Sequence, residues 1–185
     1  MSKNYSTQND LLLKNLLEFY NRDNNMDTML NIINGESKIS LRIIDWFATN
    51  FAKKNFTMYD VGTGKQRFKV YLDYKLKLKA YSKKRFDPFC RWDRITIPYK
   101  ENASIQTTLG QLNFFKWALE NEVVKYIEEN YQAIELDMNS RNSTSKKKEQ
   151  PDNKNKTRKK REELSISACK CIKKENVKII VSFNE

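Results

Sequence analysis

The feature that most constrains this chain is a stretch of 25 residues, 139–163, that contains no apolar side chain. Lys, Arg, Ser and Asn dominate the stretch, and such a segment cannot bury enough apolar surface to offset the entropy lost on folding. We therefore expect a basic disordered linker at 139–163. Residues 1–8 are mostly polar and are also expected to be disordered. This leaves residues 9–138 as one core domain and residues 164–185 as a separate C-terminal segment.

Three short helices are predicted at the start of the core domain. Apolar residues recur at helical spacing and form one stripe in the first helix: Leu12, Leu13, Leu16, Leu17 and Tyr20. Thr7 or Asn9 can cap this helix. The second helix covers residues 26–33 and is followed by Asn-Gly, a usual helix stop. The third is expected to begin at a serine, Ser40, whose hydroxyl can accept a hydrogen bond from an unpaired backbone amide.

The sequence of residues 68–81 is compatible with both the two-residue repeat of a strand and the spacing of a helix. Apolar side chains alternate with Lys, Tyr and Asp from Phe68 to Ala80, which predicts a long half-buried strand. Tyr71, Lys75 and Leu78 also recur at helical spacing, and Leu, Lys and Ala favour helices, so a helix is the alternative. We expect the strand.

The rest of the core domain is predicted to hold one more strand and a long helix. The second strand covers residues 91–97, lies between two prolines and forms a hairpin-like pair with the first. Thr108 and Gln111 have the form of a capping box, and apolar residues recur at helical spacing from Leu112 to Ile134. One long core helix is therefore expected.

Apolar alternation resumes in residues 164–185 on both sides of a polar turn at 173–176. This pattern predicts a C-terminal β-hairpin, and because an isolated hairpin is only marginally stable in water, we expect it to dock on the core domain. The predicted fold class is thus α+β. Its N-terminal helices and one long helix pack on a small, mostly antiparallel sheet, with a C-terminal β-hairpin.

The composition excludes several kinds of chemistry. There is no histidine, so Ser-His-Asp and Cys-His catalysis and His-containing zinc sites are removed. The N-terminal residues lack the apolar core of a signal peptide, and no run of about 18 apolar residues occurs. An odd number of cysteines, three, suits a reducing compartment. We expect an intracellular protein that is not an enzyme, has no cofactor and enters no membrane.

Three weaker motifs are alternatives to this expectation. Residues 62–65, Gly-Thr-Gly-Lys, resemble the end of a phosphate-binding loop but lack the following Ser or Thr. Asp73 and Lys75 on a strand, with Asp60 as a second carboxylate, have the form of a metal-dependent nuclease half-site. A zinc site with three thiolates lacks a fourth ligand and would need all the cysteines, Cys90, Cys169 and Cys171.

Positive charge is concentrated in two tracts. The formal net charge of the chain is +12. Residues 65–100 contribute +9 and residues 139–163 contribute +6, whereas residues 101–138 carry −5. The molecule is therefore strongly polarised, and a basic surface of this kind favours an anionic partner.

Cations alternate with aromatic residues in the first basic tract. Cations attract phosphates and release counterions, and exposed aromatic rings provide stacking platforms for unpaired bases. This pattern predicts non-catalytic binding of nucleic acid with weak sequence preference, single-stranded DNA or RNA being favoured over a specific duplex. The expected contact residues are the cations and aromatics of both tracts: Tyr71, Lys75, Lys77, Lys79, Tyr81, Lys83, Lys84, Arg85, Arg91, Trp92, Arg94, Lys146, Lys147, Lys148, Arg158, Lys159, Lys160 and Arg161.

Other interpretations of the same residues are open. Lysines on an exposed strand can simply protect an edge against aggregation while the aromatics fill the core, and an acidic protein or a lipid surface can also bind cations. The second tract is equally typical of a nuclear import signal or a plain tether. The alternative function is a structural or adaptor protein that binds protein partners.

Four blocks carry a resemblance to a known group of proteins: SLRIIDWFATNFAKKN at 40–55, VYLDYKLKLKAYSKKRFDPFCRW at 70–92, TTLGQLNFFKWALENEVVKYIEEN at 107–130 and TRKKREELSISACKCIKKENVKIIVSFNE at 157–185. They resemble small uncharacterised proteins of giant nucleocytoplasmic DNA viruses, similar to mimivirus. The resemblance implies a viral setting, with a location in the host nucleus, a cytoplasmic virus factory or the virion, and with viral proteins as further partners. It assigns no activity and no functional residues.

Limited trypsin digestion tests the proposed division of the chain. The first cuts should fall within residues 139–163, because this lysine-rich linker has nothing to bury and protease cuts exposed mobile segments first. Mass spectrometry of the earliest fragments locates these cuts. Cleavage that begins within residues 9–138 would contradict the division.

Overall fold

The computed structural model describes residues 7–62, 66–100, 103–147 and 174–176. The fold class is α+β, as predicted: helices pack around a shared core beside a two-stranded and a three-stranded antiparallel sheet. The elements in chain order are α1 (Gln8–Tyr20), α2 (Asn25–Asn34), α3 (Leu41–Trp46), a π-helical segment (Phe47–Phe51), α4 (Ala52–Lys54), β1 (Met58–Val61), β2 (Gln66–Lys69), α5 (Val70–Arg85), β3 (Arg94–Tyr99), β4 (Ala103–Thr108), α6 (Leu109–Glu120), α7 (Val123–Glu129), α8 (Tyr131–Lys147) and β5 (Lys174–Asn176).

The three N-terminal helices are confirmed, together with their caps. Thr7 and Asp10 form a reciprocal capping box, with the Asp10 amide donating to the Thr7 hydroxyl over 3.2 Å, so α1 begins inside the segment predicted to be disordered. Gly35 ends α2 with φ of 77°, a left-handed conformation that glycine adopts without steric cost. Ser40 accepts a hydrogen bond from the Ile43 amide and caps α3.

The strand predicted over residues 68–81 is wrong beyond Lys69. β2 pairs with β1 over only four residue pairs, and the chain then enters α5. The helix forms because Val70, Tyr74 and Leu78 recur at helical spacing and pack on the core. Leu72 and Leu76, which supported the strand pattern, lie on the exposed side of the helix instead.

The second predicted strand is present but begins three residues later, as β3, and its partner differs from the one predicted. β3 pairs antiparallel with β4, and β4 pairs with β5. Pro98 is tolerated because β3 is the edge strand of this sheet within the described residues. β5 lies at Lys174–Asn176, which was predicted to be a turn. The rest of the predicted hairpin at 164–185 lies outside the described residues.

The single long helix predicted after Thr108 is divided into three. Asn121 and Asn130 end α6 and α7, and their side-chain amides donate to the carbonyls of Trp117 and Tyr126 over 2.8 and 2.9 Å. Glu122, between α6 and α7, has φ of 52°. These asparagines bond to the last turn of each helix, and the left-handed residue redirects the chain.

α8 continues into the segment predicted to be a disordered linker. Residues 139–147 are helical, whereas residues 148–163 lie outside the described residues. Asp137 anchors this helix, because one carboxylate oxygen accepts from Trp46 Nε1 over 3.0 Å and the other from Lys54 Nζ over 2.8 Å. Burial raises the pKa of Asp137, but the hydrogen bonds from Lys54 and Trp46 lower it. Together they outweigh the effect of burial, so the pKa lies below its ordinary value.

α6 is the most deeply buried helix of the described structure. Eight of its twelve residues are buried, and Phe114 and Trp117 contact Phe86 and each other. Tyr20 of α1 donates a hydrogen bond to the Leu112 carbonyl over 2.7 Å. α1 and α5 therefore pack against α6.

A buried glutamine joins the first turn of α6 to two other segments. Gln111 has no exposed surface; its amide nitrogen donates to the Pro88 carbonyl over 3.0 Å, and its oxygen accepts from the Thr107 hydroxyl over 2.9 Å. Its backbone amide donates to the Thr108 hydroxyl, which confirms Thr108 as the cap. The side chain thus does not return to the cap as a complete capping box requires.

Gln111→Leu should destabilise the protein strongly. Leucine fills a similar volume but leaves two buried polar groups without a partner, each at a cost of about 1–3 kcal/mol. Urea unfolding followed by circular dichroism should show a lower midpoint. Gln106→Leu is the control, because this half-exposed side chain accepts a hydrogen bond from Arg94 at the surface. Equal stability of the two variants would show that the buried hydrogen bonds contribute little.

Candidate nucleic-acid interface

The helical form of α5 separates the residues that the predicted strand would have placed on one face. Lys75 and Lys79 are exposed on the outer side of the helix, one turn apart. Lys77 and Tyr81 instead line a groove between α1, α5 and α6, and Tyr71 is half-buried. The prediction that these five side chains share one exposed face is therefore wrong.

The two tyrosines of α5 contact other protein groups. Tyr81 stacks on Phe86 with ring centroids 6.4 Å apart, and the ammonium group of Lys53 lies 5.7 Å from the centre of the Tyr71 ring. Ring faces used in this way are less available for stacking on a base. The aromatic part of the predicted surface must therefore come from elsewhere.

Residues from two separate parts of the first basic tract meet in a shallow cleft, which we call the Trp92 cleft. Its volume is about 230 Å³, and Lys84, Arg85 and Trp92 line it together with apolar side chains from α1, β3 and α6. Trp92 is 44% exposed. Lys84 and Arg85 are adjacent in sequence, and Trp92 follows seven residues after Arg85, so the intervening loop brings its ring to the same cleft.

Close backbone contact with α6 positions the cationic side of the Trp92 cleft. A Cβ atom added to Gly110 would lie 3.0 Å from the Lys84 carbonyl oxygen. The Asp87 amide donates to the Gly110 carbonyl over 3.2 Å, and Asn113 donates to the Arg85 carbonyl over 2.9 Å. The backbone that carries Lys84 and Arg85 is therefore held by α6, although both side chains reach the surface.

An ion pair between a buried carboxylate and a half-exposed guanidinium shapes the loop that carries Trp92. Asp87 is 3% exposed and accepts two hydrogen bonds from the Arg91 guanidinium, over 2.7 and 2.8 Å. These hydrogen bonds with Asp87 raise the pKa of Arg91, so the guanidinium stays charged. Because Arg91 is engaged by Asp87, its role is to close the 87–91 turn, and it is less free to meet a ligand than predicted.

The acidic residues of the first tract leave most of its cations unneutralised. Asp73 accepts a hydrogen bond from Trp117 over 2.7 Å, Asp87 pairs with Arg91, and Asp93 pairs with Lys84 over 2.8 Å. The Lys84–Asp93 pair is well exposed on both sides, and such pairs contribute little. An incoming phosphate can therefore compete for Lys84.

Further predicted cations lie near this cleft or beyond the described structure. Lys83 and Arg94 are exposed, and Arg94 donates to Gln106 over 3.3 Å. Lys146 and Lys147 are in the last turn of α8, of which only the backbone is described. The other predicted contacts lie outside the described residues: Lys148, Arg158, Lys159, Lys160 and Arg161.

The other residues that line the Trp92 cleft were not among the predicted contact residues. The apolar part is formed by Leu13 of α1, Ile95 of β3 and Leu109 of α6. Three polar residues complete the lining: Asn9, Asp10 and Asp93. Leu13 was predicted only as part of a helical core stripe. No sequence signal connects these residues, since three separate elements contribute them.

The weaker motifs of the sequence have different surroundings from those expected. Asp73 lies on a helix and bonds to Trp117, so the strand-borne nuclease half-site is wrong. Cys90 is buried and Cys169 and Cys171 lie outside the described residues. In the described part of the chain, no three potential metal ligands of the Cys, His, Asp or Glu type gather together. None of the described helices has the length and apolar character needed to cross a bilayer.

Comparison with known proteins gives a family. The model of a family of unknown function, DUF7197, matches residues 2–157. The chain belongs to this family. It is also similar to the uncharacterized protein L507 of Acanthamoeba polyphaga mimivirus, with 45% identity over 130 residues, which is 66% of this chain and 50% of the relative. The predicted resemblance to uncharacterised giant-virus proteins is therefore confirmed.

The chain covers about half the length of this curated relative. No solved structure matches the chain. The two comparisons that match place the protein in a family without assigning an activity to any residue.

Proposed function

We propose that this protein binds nucleic acid without catalysis and with weak sequence preference, and that the Trp92 cleft is a contact site for unpaired nucleotides. The observation that supports this most directly is the juxtaposition of an exposed tryptophan with Lys84 and Arg85 in one cleft. Cations that contact phosphates position the strand but carry no sequence information. Weak sequence preference follows.

Each part of the cleft has a distinct task in this proposal. Lys84 and Arg85 bind backbone phosphates and release counterions, which gives affinity that falls with salt. The indole of Trp92 stacks on an unpaired base, an interaction that every base can make because each has a π-face. Leu13, Ile95 and Leu109 supply the apolar part of the cleft lining. A base inside a duplex cannot reach the ring, so single strands are preferred.

The charge of the whole first tract supports the same proposal. Lys83 and Arg94 are exposed, and a strand that follows this surface would meet them beyond the cleft. The second tract, residues 139–163, adds +6 and would act as a further phosphate-binding arm. Both tracts raise the rate of association with a polyanion through long-range attraction.

The alternative function, a structural or adaptor role with protein partners, has one observation in its favour. Two leucines on the outer side of α5, Leu72 and Leu76, are 56% and 65% exposed. A phosphate backbone offers no apolar group to cover them. This surface shares no residue with the lining of the Trp92 cleft.

Trp92→Ala tests the stacking part of the proposal. Affinity for a single-stranded oligonucleotide should fall by about 1–3 kcal/mol, the range measured for base–aromatic stacking, and the salt slope should stay nearly unchanged. Fluorescence anisotropy with labelled single strands at several salt concentrations measures both quantities. Duplex binding should change much less. An unchanged single-strand affinity would contradict stacking on Trp92.

Changing Lys84 and Arg85 together to Gln tests the phosphate contacts. Affinity should fall for every sequence, and the slope of log K against log salt should become shallower by about 0.7 for each phosphate of the single strand that the variant no longer binds. The control removes the same charge at Lys38 and Lys125, which are exposed away from the cleft. If both variants show the same fall in affinity, net charge and not the cleft drives binding. If the unaltered protein binds no oligonucleotide at low salt, the proposed function is wrong.

A further inference from the structure

The outer side of α5 carries an exposed surface that mixes leucine with lysine. We call it the α5 stripe and define it by Leu72, Lys75, Leu76 and Lys79. Leu72 lies three and four residues before Lys75 and Leu76, which lie four and three residues before Lys79, so all four share one side of the helix. Together with Leu78 they line an open groove of about 500 Å³. Lys75 and Lys79 form no ion pair with any described residue.

This composition favours a protein partner over a nucleic acid. Single exposed leucines are common on protein surfaces and need no explanation. Here Leu72 and Leu76 are exposed on the same side of one helix, so they form a continuous apolar strip with cations along it. Such a strip fits an amphipathic surface that offers apolar side chains to the leucines and carboxylates to the lysines.

The chain itself contains a surface of that chemistry on α7 and α8. Glu128 and Glu129 are exposed at the end of α7 and form no ion pair with any described residue. Leu136 of α8 is 70% exposed, and Gln132 and Ala133 lie between them and are also exposed. We call these five residues the α8 surface. Gln132 and Leu136 are one turn apart on α8, and Glu128 and Glu129 precede them at the end of α7, on the other side of Asn130.

We propose that the α5 stripe of one copy of this chain binds the α8 surface of a second copy. The two cations of the stripe face the two carboxylates, and Leu72 and Leu76 cover Leu136. Charge complementarity selects this partner, because the −5 segment 101–138 supplies the acidic surface and the +9 segment 65–100 supplies the basic one. The alternative occupant, an unrelated acidic protein, is an outcome of the test below.

The proposed contact joins two different surfaces and is therefore heterologous. Each copy that uses its α5 stripe still offers its α8 surface to another copy, so the contact produces a ring if it closes and a filament if it does not. This self-association leaves the Trp92 cleft open, so it is independent of the proposed nucleic-acid binding and can fail or succeed separately.

Charge reversal on each side tests the proposal in the full chain, without nucleic acid. Sedimentation equilibrium should show that the mass of the unaltered protein rises with concentration. The double variants Lys75→Glu with Lys79→Glu, and Glu128→Lys with Glu129→Lys, place like charges at the contact and should each raise the dissociation constant at least about tenfold. An equimolar mixture of the two should associate again, because opposite charges then meet where a stripe of one variant faces the reversed surface of the other.

Leu72→Ser with Leu76→Ser is the apolar counterpart and should weaken association while every charge is kept. Thermal melting followed by circular dichroism checks that each variant is folded, which is expected for exposed positions. The proposal is overturned if the unaltered protein stays monomeric throughout, if the mixture does not recover association, or if only the α5 variants fail to associate. In the first case an acidic partner of another kind is the occupant to seek.

Discussion

The first turn of α6 and the backbone of residues 84–88 lie in direct contact, and the position of the Trp92 cleft depends on that contact. Gly110 permits the approach, because a Cβ atom there would lie 3.0 Å from the Lys84 carbonyl oxygen. The Pro88 carbonyl accepts from the buried Gln111, and the Arg85 carbonyl accepts from Asn113. These hydrogen bonds to backbone oxygens restrict the movement of residues 84–88. The backbone positions of Lys84 and Arg85, whose side chains project into the cleft, are therefore fixed.

α5 is kinked just before the segment that contacts α6. Ser82 has φ of 59° and ψ of 170°, so the chain leaves the helical path and makes one further turn before Phe86 enters the core. Lys75 and Lys79 precede this break and lie beside leucines, whereas Lys84 and Arg85 follow it and lie beside Trp92. A single basic tract in the sequence is thereby divided into two surfaces with different neighbours. The division favours two different partners, a second copy of the chain for the α5 stripe and a nucleic acid for the cleft.

The local signals of the sequence were reliable where a single side chain decides the geometry. Thr7, Ser40 and Thr108 cap the helices at which their hydroxyls predicted a start, and Gly35 ends α2 in the left-handed conformation. The family resemblance was likewise confirmed. In each capping case the relevant partner lies within a few residues along the chain, so tertiary packing cannot easily override the signal.

The secondary structure of residues 68–81 could not be predicted correctly, because the choice between strand and helix depends on which leucines are buried. Leu72 and Leu76 completed an alternating pattern, yet they are exposed, whereas Tyr74 faces the aromatic residues of α6. Burial raises the pKa of Tyr74 to about 12, so its hydroxyl stays neutral at that inward position. The Trp92 cleft could not be predicted for a similar reason, since elements distant in sequence form it. Its cations and tryptophan were among the predicted contact residues, but no local pattern indicates that α1 and α6 close it.

The most direct test of the central claim follows the tryptophan indole N–H signals in a ¹⁵N NMR spectrum during titration with a single-stranded oligonucleotide. Trp46 and Trp117 donate their indole hydrogens to Asp137 and Asp73 inside the protein, whereas Trp92 is exposed in the cleft. The indole signal of Trp92 should therefore shift strongly and saturably, together with the backbone amides of residues 83–94, while the other two indole signals stay in place. If the oligonucleotide binds and the Trp92 signal does not move, the cleft is not the binding site.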